Sequence, residues 1–264
     1  MNLHLTNKSV LITGSTSGIG FATAKLFINE GASVIINGRS QKNIDKAIGL
    51  ILDEFPDANI SGVVADFLDK NSISNLIDSI KQVDILINNV GIYKSQSFQE
   101  TTDTDWTDML EVNVMSGVRL SRAFLPQMIE KNWGRILFIS SECAALVPED
   151  LIAYSTTKAA LLSLSRGLAQ TTRGTNVTVN AVLPGSTLSE GAENFLQEQS
   201  EKTNLSKKEV TDNFFKNVRT SSLLERFIST EELANTIVYL ASPLSAATNG
   251  AAIKVDGGSI PGII

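Results

Sequence analysis

Ser9-Val10-Leu11-Ile12-Thr13-Gly14-Ser15-Thr16-Ser17-Gly18-Ile19-Gly20 opens on a short apolar run and closes on glycines spaced Gly-x-x-x-Gly-x-Gly. An apolar run ended by glycine reads as a buried strand. Phe21 to Asn29 follows with helical periodicity and is stopped by Glu30-Gly31, which makes the glycine cluster a strand-to-helix turn. Glycines at such a turn let the backbone bend sharply and approach a pyrophosphate, which then sits at the positive end of the helix. The spacing is not the Gly-x-Gly-x-x-Gly of the common dinucleotide fingerprint, and no Lys-Ser/Thr pair makes it a Walker loop. A tight turn without ligand is the competing explanation. Its place as the first turn of an alternating chain favours a nucleotide.

Outward from this stretch the alternation persists. Strands are predicted at Ala32 to Asn37, Gly62 to Ala65, Val83 to Ile87, Arg135 to Ile139, Val177 to Val182 and Ala252 to Val255. Between them lie helices at Gln41 to Phe55, Ser72 to Ile80, Thr104 to Glu130, Tyr154 to Thr172 and Glu231 to Ala241. Strands that are continuously apolar, each followed by a helix, form a parallel sheet covered on both faces. The expected fold is therefore α/β: one Rossmann-like, doubly wound domain over residues 1–264, of about seven strands. The rhythm fails only in residues 186–224, which are polar and carry weak helical patches at Glu193 to Ser200 and Lys208 to Val218. A connection of that length, leaving the carboxyl edge of the sheet, is expected to be a substrate lid.

Composition narrows the function. With 22 basic against 28 acidic residues the net charge is −6 and no basic stripe is present, which argues against nucleic acid. The lone Cys143 excludes an intrachain disulfide and fits a reducing compartment. The lone His4 leaves no Ser/His/Asp triad and no His-rich metal site. No apolar run is long enough for a membrane span and no signal peptide is recognisable, so a cytoplasmic protein is expected.

The remaining candidate chemistry is in Ser141 and Tyr154-Ser155-Thr156-Thr157-Lys158. On a helix, Tyr154 and Lys158 share a face. An ammonium near a phenol favours phenolate, so the spacing predicts a Tyr154 pKa below its ordinary value and a proton donor and acceptor usable near neutrality. Cys143 has no histidine to activate it and reads as a packing residue.

Thr13-Gly14-x-x-x-Gly18-Ile19-Gly20, Asn88-Asn89-Val90-Gly91, Asn113, Ser141, Tyr154-x-x-x-Lys158, Pro184-Gly185 and Val255-Asp256-Gly257-Gly258 occur in one order along the chain. In that order and spacing the sequence resembles the short, single-domain branch of the short-chain dehydrogenase/reductase family, from about Lys8 to Gly258. Val90 stands where the family motif has alanine.

The resemblance implies an oxidoreductase that moves hydride between NADP(H) and a small carbonyl or alcohol substrate. Tyr154 would be the general acid/base and Ser141 the hydrogen-bond donor to the reacting oxygen. Lys158 would tune Tyr154 and hold the nicotinamide ribose, and Asn113 would mark a kink in its helix where a carbonyl binds the water of a proton relay. Gly14, Ser15, Ser17, Gly18, Ile19 and Gly20 would cradle the phosphates, Asp66 and Phe67 the adenine, and Asn89 and Gly91 the middle of the cofactor. Pro184, Gly185, Thr187 and Ser189 would clasp the nicotinamide. At Gly38-Arg39 no acidic residue awaits a ribose hydroxyl, and the guanidinium of Arg39 could pair with a 2′-phosphate, which favours NADP(H) over NAD(H). A homo-oligomer, tetramer or dimer, is also implied, through the small residues of the Tyr154 to Thr172 helix. Two other functions stay open: a 3-oxoacyl-carrier-protein reductase, with Lys131 and Arg173 as contacts to an acidic carrier, and a non-catalytic NADP(H)-binding regulator.

Overall fold

The structure, a computed structural model, describes residues 2–263. Its first unit is β1 (Ser9–Ile12), the glycine turn and α1 (Gly18–Asn29), followed by β2 (Ser33–Gly38), α2 (Gln41–Glu54), β3 (Ile60–Val64) and α3 (Lys70–Ser79). The second half runs β4 (Ile85–Asn88), α4 (Asp103–Leu110), α5 (Ser116–Glu130), β5 (Gly134–Ile139), α6 (Cys143–Leu146) and α7 (Ile152–Thr171). It continues with β6 (Val177–Pro184), β7 (Thr187–Leu188), α8 (Glu190–Thr203), α9 (Lys207–Asn217), β8 (Ile228–Ser229), α10 (Thr230–Ala241) and β9 (Ala252–Val255).

Seven strands form one sheet in the order β3-β2-β1-β4-β5-β6-β9, and every described pairing is parallel. The order reverses between β1 and β4, and a parallel sheet of this kind opens a crevice there at the carboxyl ends of its strands. Strand alternation divides the core. Val10 and Ile12 point to a cluster with Phe27 of α1, Ile44 of α2 and Leu233 of α10. Leu11 points the other way, to Ile73 of α3, Phe124 of α5 and Leu161 of α7. Both faces are covered, as the continuous apolar strands require.

Two elements sharpen the sequence expectation. The helix expected over Thr104 to Glu130 is interrupted by a π-helical turn, Glu111–Met115, whose ladder shifts so that Ser116 N–H donates to Glu111 O. Single π turns are frequent at functional sites, and this one carries Asn113. In residues 186–224 both weak patches become full helices, α8 and α9, each begun by a serine (Ser189, Ser206) whose side chain accepts from the first turn. A small parallel pair, Thr187↔Ile228 and Leu188↔Ser229, ties the two ends of that segment together.

Candidate active site

The glycine turn borders a cleft of about 300 Å³ at the switch between β1 and β4. Gly14 (φ +60°) and Gly18 (φ +57°) hold conformations that other residues avoid. Ser17 precedes α1 without a side-chain cap, and no acidic residue lies in the first turn. The first N–H groups of the helix are therefore left without a side-chain cap beside the Ser17 edge of the cleft, the arrangement that suits a phosphate. A Cβ on Gly20 would stand 2.6 Å from both Asn89 Nδ2 and Gly14 O. The contact is that close because Asn89 locks the turn, its Nδ2 donating to Thr13 O and Gly14 O at 2.9 Å each. Val90 packs on the same turn, its Cα 3.1 Å from where a Gly14 Cβ would be.

Ser15 is a correction. It is fully buried; its hydroxyl donates to Ile12 O at 2.7 Å and accepts from Asn37 N–H at 2.9 Å, so it braces β1 against β2 instead of lining the cleft. The hydroxyl residues that line it are Ser17, as named from the sequence, and Thr16, which was missed. Gly38 could have signalled it, since a Cβ there would stand 2.6 Å from Thr16 Cγ2. Arg39 follows at the carboxyl end of β2, exposed, with no hydrogen bond or ion pair to any described residue. Asp66 lines the cleft too, yet its Oδ1 accepts from Leu68 N–H at 3.0 Å and builds the turn after β3. Phe67 is buried beside it.

A second cleft, about 190 Å³, shares Asn89 and Gly91 with the first and is lined by Ser141, Tyr154 and Lys158. Tyr154 lies in the first turn of α7, with Lys158 one turn later and Nζ 5.5 Å from the ring centroid. Lys158 is buried and donates to Ile139 O at 2.8 Å. Burial draws its pKa down to about 8. The expectation that Lys158 would lower Tyr154 is not met. Burial pushes the Tyr154 phenol well above its ordinary value, and a hydrogen bond with Ser141 opposes the rise only in part. Removing water from both groups outweighs their attraction at this separation.

The surrounding groups fix this geometry. Ser141 Oγ accepts from Cys143 N–H at 3.1 Å, which starts α6, while Ser140 donates to Lys158 O at 2.8 Å and acts as a brace. Asn113 satisfies every face of its buried amide: Nδ2 donates to Ile92 O and to Thr157 Oγ1, and Oδ1 accepts from Ile92 N–H at 2.7 Å. A Cβ on Gly91 would come within 3.2 Å of Lys158 Nζ and 3.5 Å of Asn113 Oδ1, so glycine keeps the space over both open. Gly185 touches Asp256 so closely that a Cβ would stand 2.6 Å from its Cα. Thr187 lines the cleft and donates to Gly185 O at 2.8 Å. Ser189 is spent as the α8 cap, accepting from Ala192 N–H at 3.4 Å, and lies outside this cleft. Ile19 and Pro184 line this cleft as well, Ile19 on this side and not on the glycine-turn side. Tyr93 was missed: its ring meets Tyr154 edge-on at 5.9 Å and is 69% exposed. An aromatic two residues after Gly91 was the available signal.

A short chain dehydrogenase family model matches residues 8–200. The chain belongs to the short-chain dehydrogenase/reductase family. Among its relatives, an uncharacterised oxidoreductase of Bacillus subtilis, YvrD, is 45% identical over 98% of this chain and 99% of its own length. The 3-oxoacyl-[acyl-carrier-protein] reductase of Aquifex aeolicus is 33% identical over 98% of this chain and 99% of its own. Among solved structures, L-sorbose reductase from Gluconobacter frateurii, complexed with NADPH and L-sorbose, superposes with a TM-score of 0.93 at 30% identity, covering all of both chains. As a short-chain dehydrogenase the protein is an oxidoreductase by family, and among its described residues no helix is long and apolar enough to cross a membrane.

Proposed function

We propose that the protein reduces a ketone or aldehyde with NADP(H), using Tyr154 as general acid. The observation that carries this reading is the shared wall. Ser141, Tyr154 and Lys158 line a cleft whose Asn89 and Gly91 also border the glycine-turn cleft. The uncapped α1 terminus, the positive-φ glycines and the gap kept by Gly91 fit a dinucleotide lying across both clefts. The unpaired Arg39 at the end of β2 supports a 2′-phosphate there, hence NADP(H) over NAD(H). When bound, that cofactor supplies the hydride.

The residues of the chain do the rest. Ser141 donates to the substrate oxygen, stabilising charge that grows on it as reduction proceeds. Tyr154, held protonated by its burial, gives that oxygen a proton. Lys158, with a pKa drawn down to about 8, can exchange a proton near neutrality and replenish the phenol. Asn113 holds the Ile92 loop against Thr157 and keeps the lysine side of the cleft in place. Residues 186–224 serve as the substrate lid of one catalytic domain. Ser163 and Gly167 are exposed on α7, and nothing lies within 4 Å of a Gly167 Cβ, which supports a homo-oligomer packed on that face. Size-exclusion chromatography with light scattering tests it, a monomer sinking it. A cytoplasmic setting belongs to the same proposal.

The likeness to the Aquifex aeolicus reductase keeps a carrier-tethered 3-oxoacyl substrate as a second reading. Geometry weighs against the carrier contacts suggested by sequence. Lys131 pairs with Asp84 at 3.8 Å just before β5 and β4 begin, and Arg173 lies before β6, all at the amino ends of strands whose carboxyl ends bear the clefts. The deciding experiment is NADPH and NADH oxidation against ketoses, simple ketones, aldehydes, steroids and acyl-carrier ketones. Turnover of free ketones with NADPH supports the first reading; turnover of the carrier substrate alone moves it to the second. Tight cofactor binding with no turnover on any of them leaves the regulator.

A further inference from the structure

Glu142 stands between Ser141 and Cys143 and is only 3% exposed. Its Oε1 accepts from Arg219 Nε at 2.8 Å and from the Ser186 hydroxyl at 3.0 Å. Three parts of the chain thus meet on one carboxylate: the turn after β5 that carries Ser141, the turn after β6, and the residues just beyond α9. Arg219 is itself enclosed, its side chain 13% exposed, with the guanidinium 5.7 Å from the Phe214 ring and Nη2 3.9 Å from Cys143 Sγ. Oε2 of Glu142 is buried and has no donor among the described residues.

The chain beyond Arg219 is riveted to a second rim. Leu223 and Leu224 N–H donate to Gly257 O at 2.9 and 3.1 Å, and Ser221 Oγ donates to Ser259 O at 2.5 Å. At the other end of the lid, β7 pairs with β8. Helices α8 and α9 therefore span two anchors, and both reach the serine turn at Glu142, through Ser186 beside β7 and through Arg219 beyond α9. A buried ion pair is weak evidence of stabilisation, because desolvation cancels much of the attraction. Its geometry is another matter, since a guanidinium and a carboxylate with a third partner allow few arrangements.

We propose that Glu142 and Arg219 are positioning residues: their ion pair seats the α9 end of the lid on the turn that orients Ser141. The lid and the serine hydroxyl then take their working places together. This rests on the carbonyl-reductase reading above. Removing Arg219 leaves a buried carboxylate without its countercharge beside Ser141, which displaces the turn; removing both charges relieves that displacement.

The test uses the full chain with Arg219→Met, Arg219→Lys, Glu142→Gln and the double variant Glu142→Gln/Arg219→Met. Each is measured for NADPH affinity, for kcat and KM on a ketone from the screen, and for amide exchange across residues 190–224. Arg219→Met is expected to lower kcat/KM by roughly ten- to a hundredfold, the scale of a misplaced catalytic group. NADPH affinity should stay within about threefold, because the cofactor cleft does not include the pair, and exchange in α9 should rise. Arg219→Lys should fall between, since an ammonium lacks the fork. The double variant should recover about tenfold over Arg219→Met, the mark of a coupled pair. Wild-type kinetics and exchange in Arg219→Met, a parallel loss of NADPH binding, or no recovery in the double variant would each overturn the proposal. If the wild-type protein reduces no ketone or aldehyde, the carbonyl-reductase reading fails, and the exchange comparison alone decides the latch.

Discussion

The two clefts that meet at Asn89 and Gly91 are made of opposite materials. The glycine-turn cleft is a backbone object: positive-φ glycines, an uncapped helix end and one exposed cation, with its hydroxyl Ser15 turned inward as a brace. The catalytic cleft is a side-chain object, gathered from a buried Ser141 and Lys158 and a half-buried Tyr154, with Asn113 holding the Ile92 loop beside it. The first is crowded at Gly14 and Gly20, where an added Cβ would meet Val90, Asn89 and Gly14 O; the second depends on two groups whose protonation is shifted by burial. The contrast predicts that substitutions on one side act through cofactor affinity and on the other through turnover.

The largest effect should come from Tyr154→Phe, which keeps the ring against Tyr93 and removes the hydroxyl that donates the proton. Loss of a positioned general acid costs about a hundred- to ten-thousandfold in rate. Cofactor affinity, read by NADPH fluorescence, should hardly move. Reduction at the wild-type rate would break the assignment of Tyr154 and, with it, the division between the clefts.

Gly20→Ala probes the other side. The new methyl would stand 2.6 Å from Asn89 Nδ2 and from Gly14 O, so the lock on the turn must shift. Overpacking of this kind costs roughly 1–3 kcal/mol. The expected result is a ten- to hundredfold rise in the NADPH dissociation constant, about what that energy can do, with kcat at saturating cofactor much less affected. Unchanged affinity would mean that the turn does not shape the phosphate site.

The same contrast explains what was legible in the sequence. Strand, glycine turn and helix are local events, so seven parallel strands and the turn from Gly14 to Gly20 follow from runs of apolar residues and glycine spacing. Burial is not local. The Tyr154–Lys158 spacing suggested an ammonium pulling the phenol down, while the folded chain dehydrates both and drives the phenol up and the ammonium down. Likewise Asn113, an amide in an apolar helical stretch, marked the place of a kink, while its form as a π turn and its partners Ile92 and Thr157 are set by distant packing. Glu142 and Arg219 are 77 residues apart, and no periodicity could have joined them.

Arg39→Ala sharpens the comparison at the cofactor side. Arg39 has no partner among the described residues, so removing it should leave stability unchanged. A charge-assisted contact is worth about 1.5–3 kcal/mol, which corresponds to a roughly ten- to hundredfold weaker NADPH affinity. NADH affinity should be unaltered in the same titration. Equal weakening of both dinucleotides would remove the 2′-phosphate assignment and the preference it supports.

The smallest effect tests the buried lysine through stability. Ordinary lysine titrates at 10.5 and Lys158 at about 8 in the folded chain, because burial disfavours its charge. Between those values the unfolded chain holds a proton that the folded chain lacks, so wild-type stability rises with pH across that window. Below pH 8 the whole penalty is present, a few kcal/mol at most; above 10.5 both states are neutral and it is gone. Lys158→Met has no such titration, although it loses the hydrogen bond to Ile139 O, which adds an offset independent of pH. In thermal melts of the cofactor-free protein, the variant should therefore compare best with wild type near neutrality, by a few degrees, and lose that advantage steadily toward pH 10. A stability difference that stays flat from pH 7 to 10 would mean that Lys158 keeps its ordinary charge inside the fold, and the catalytic cleft would then be wetter than its packing implies.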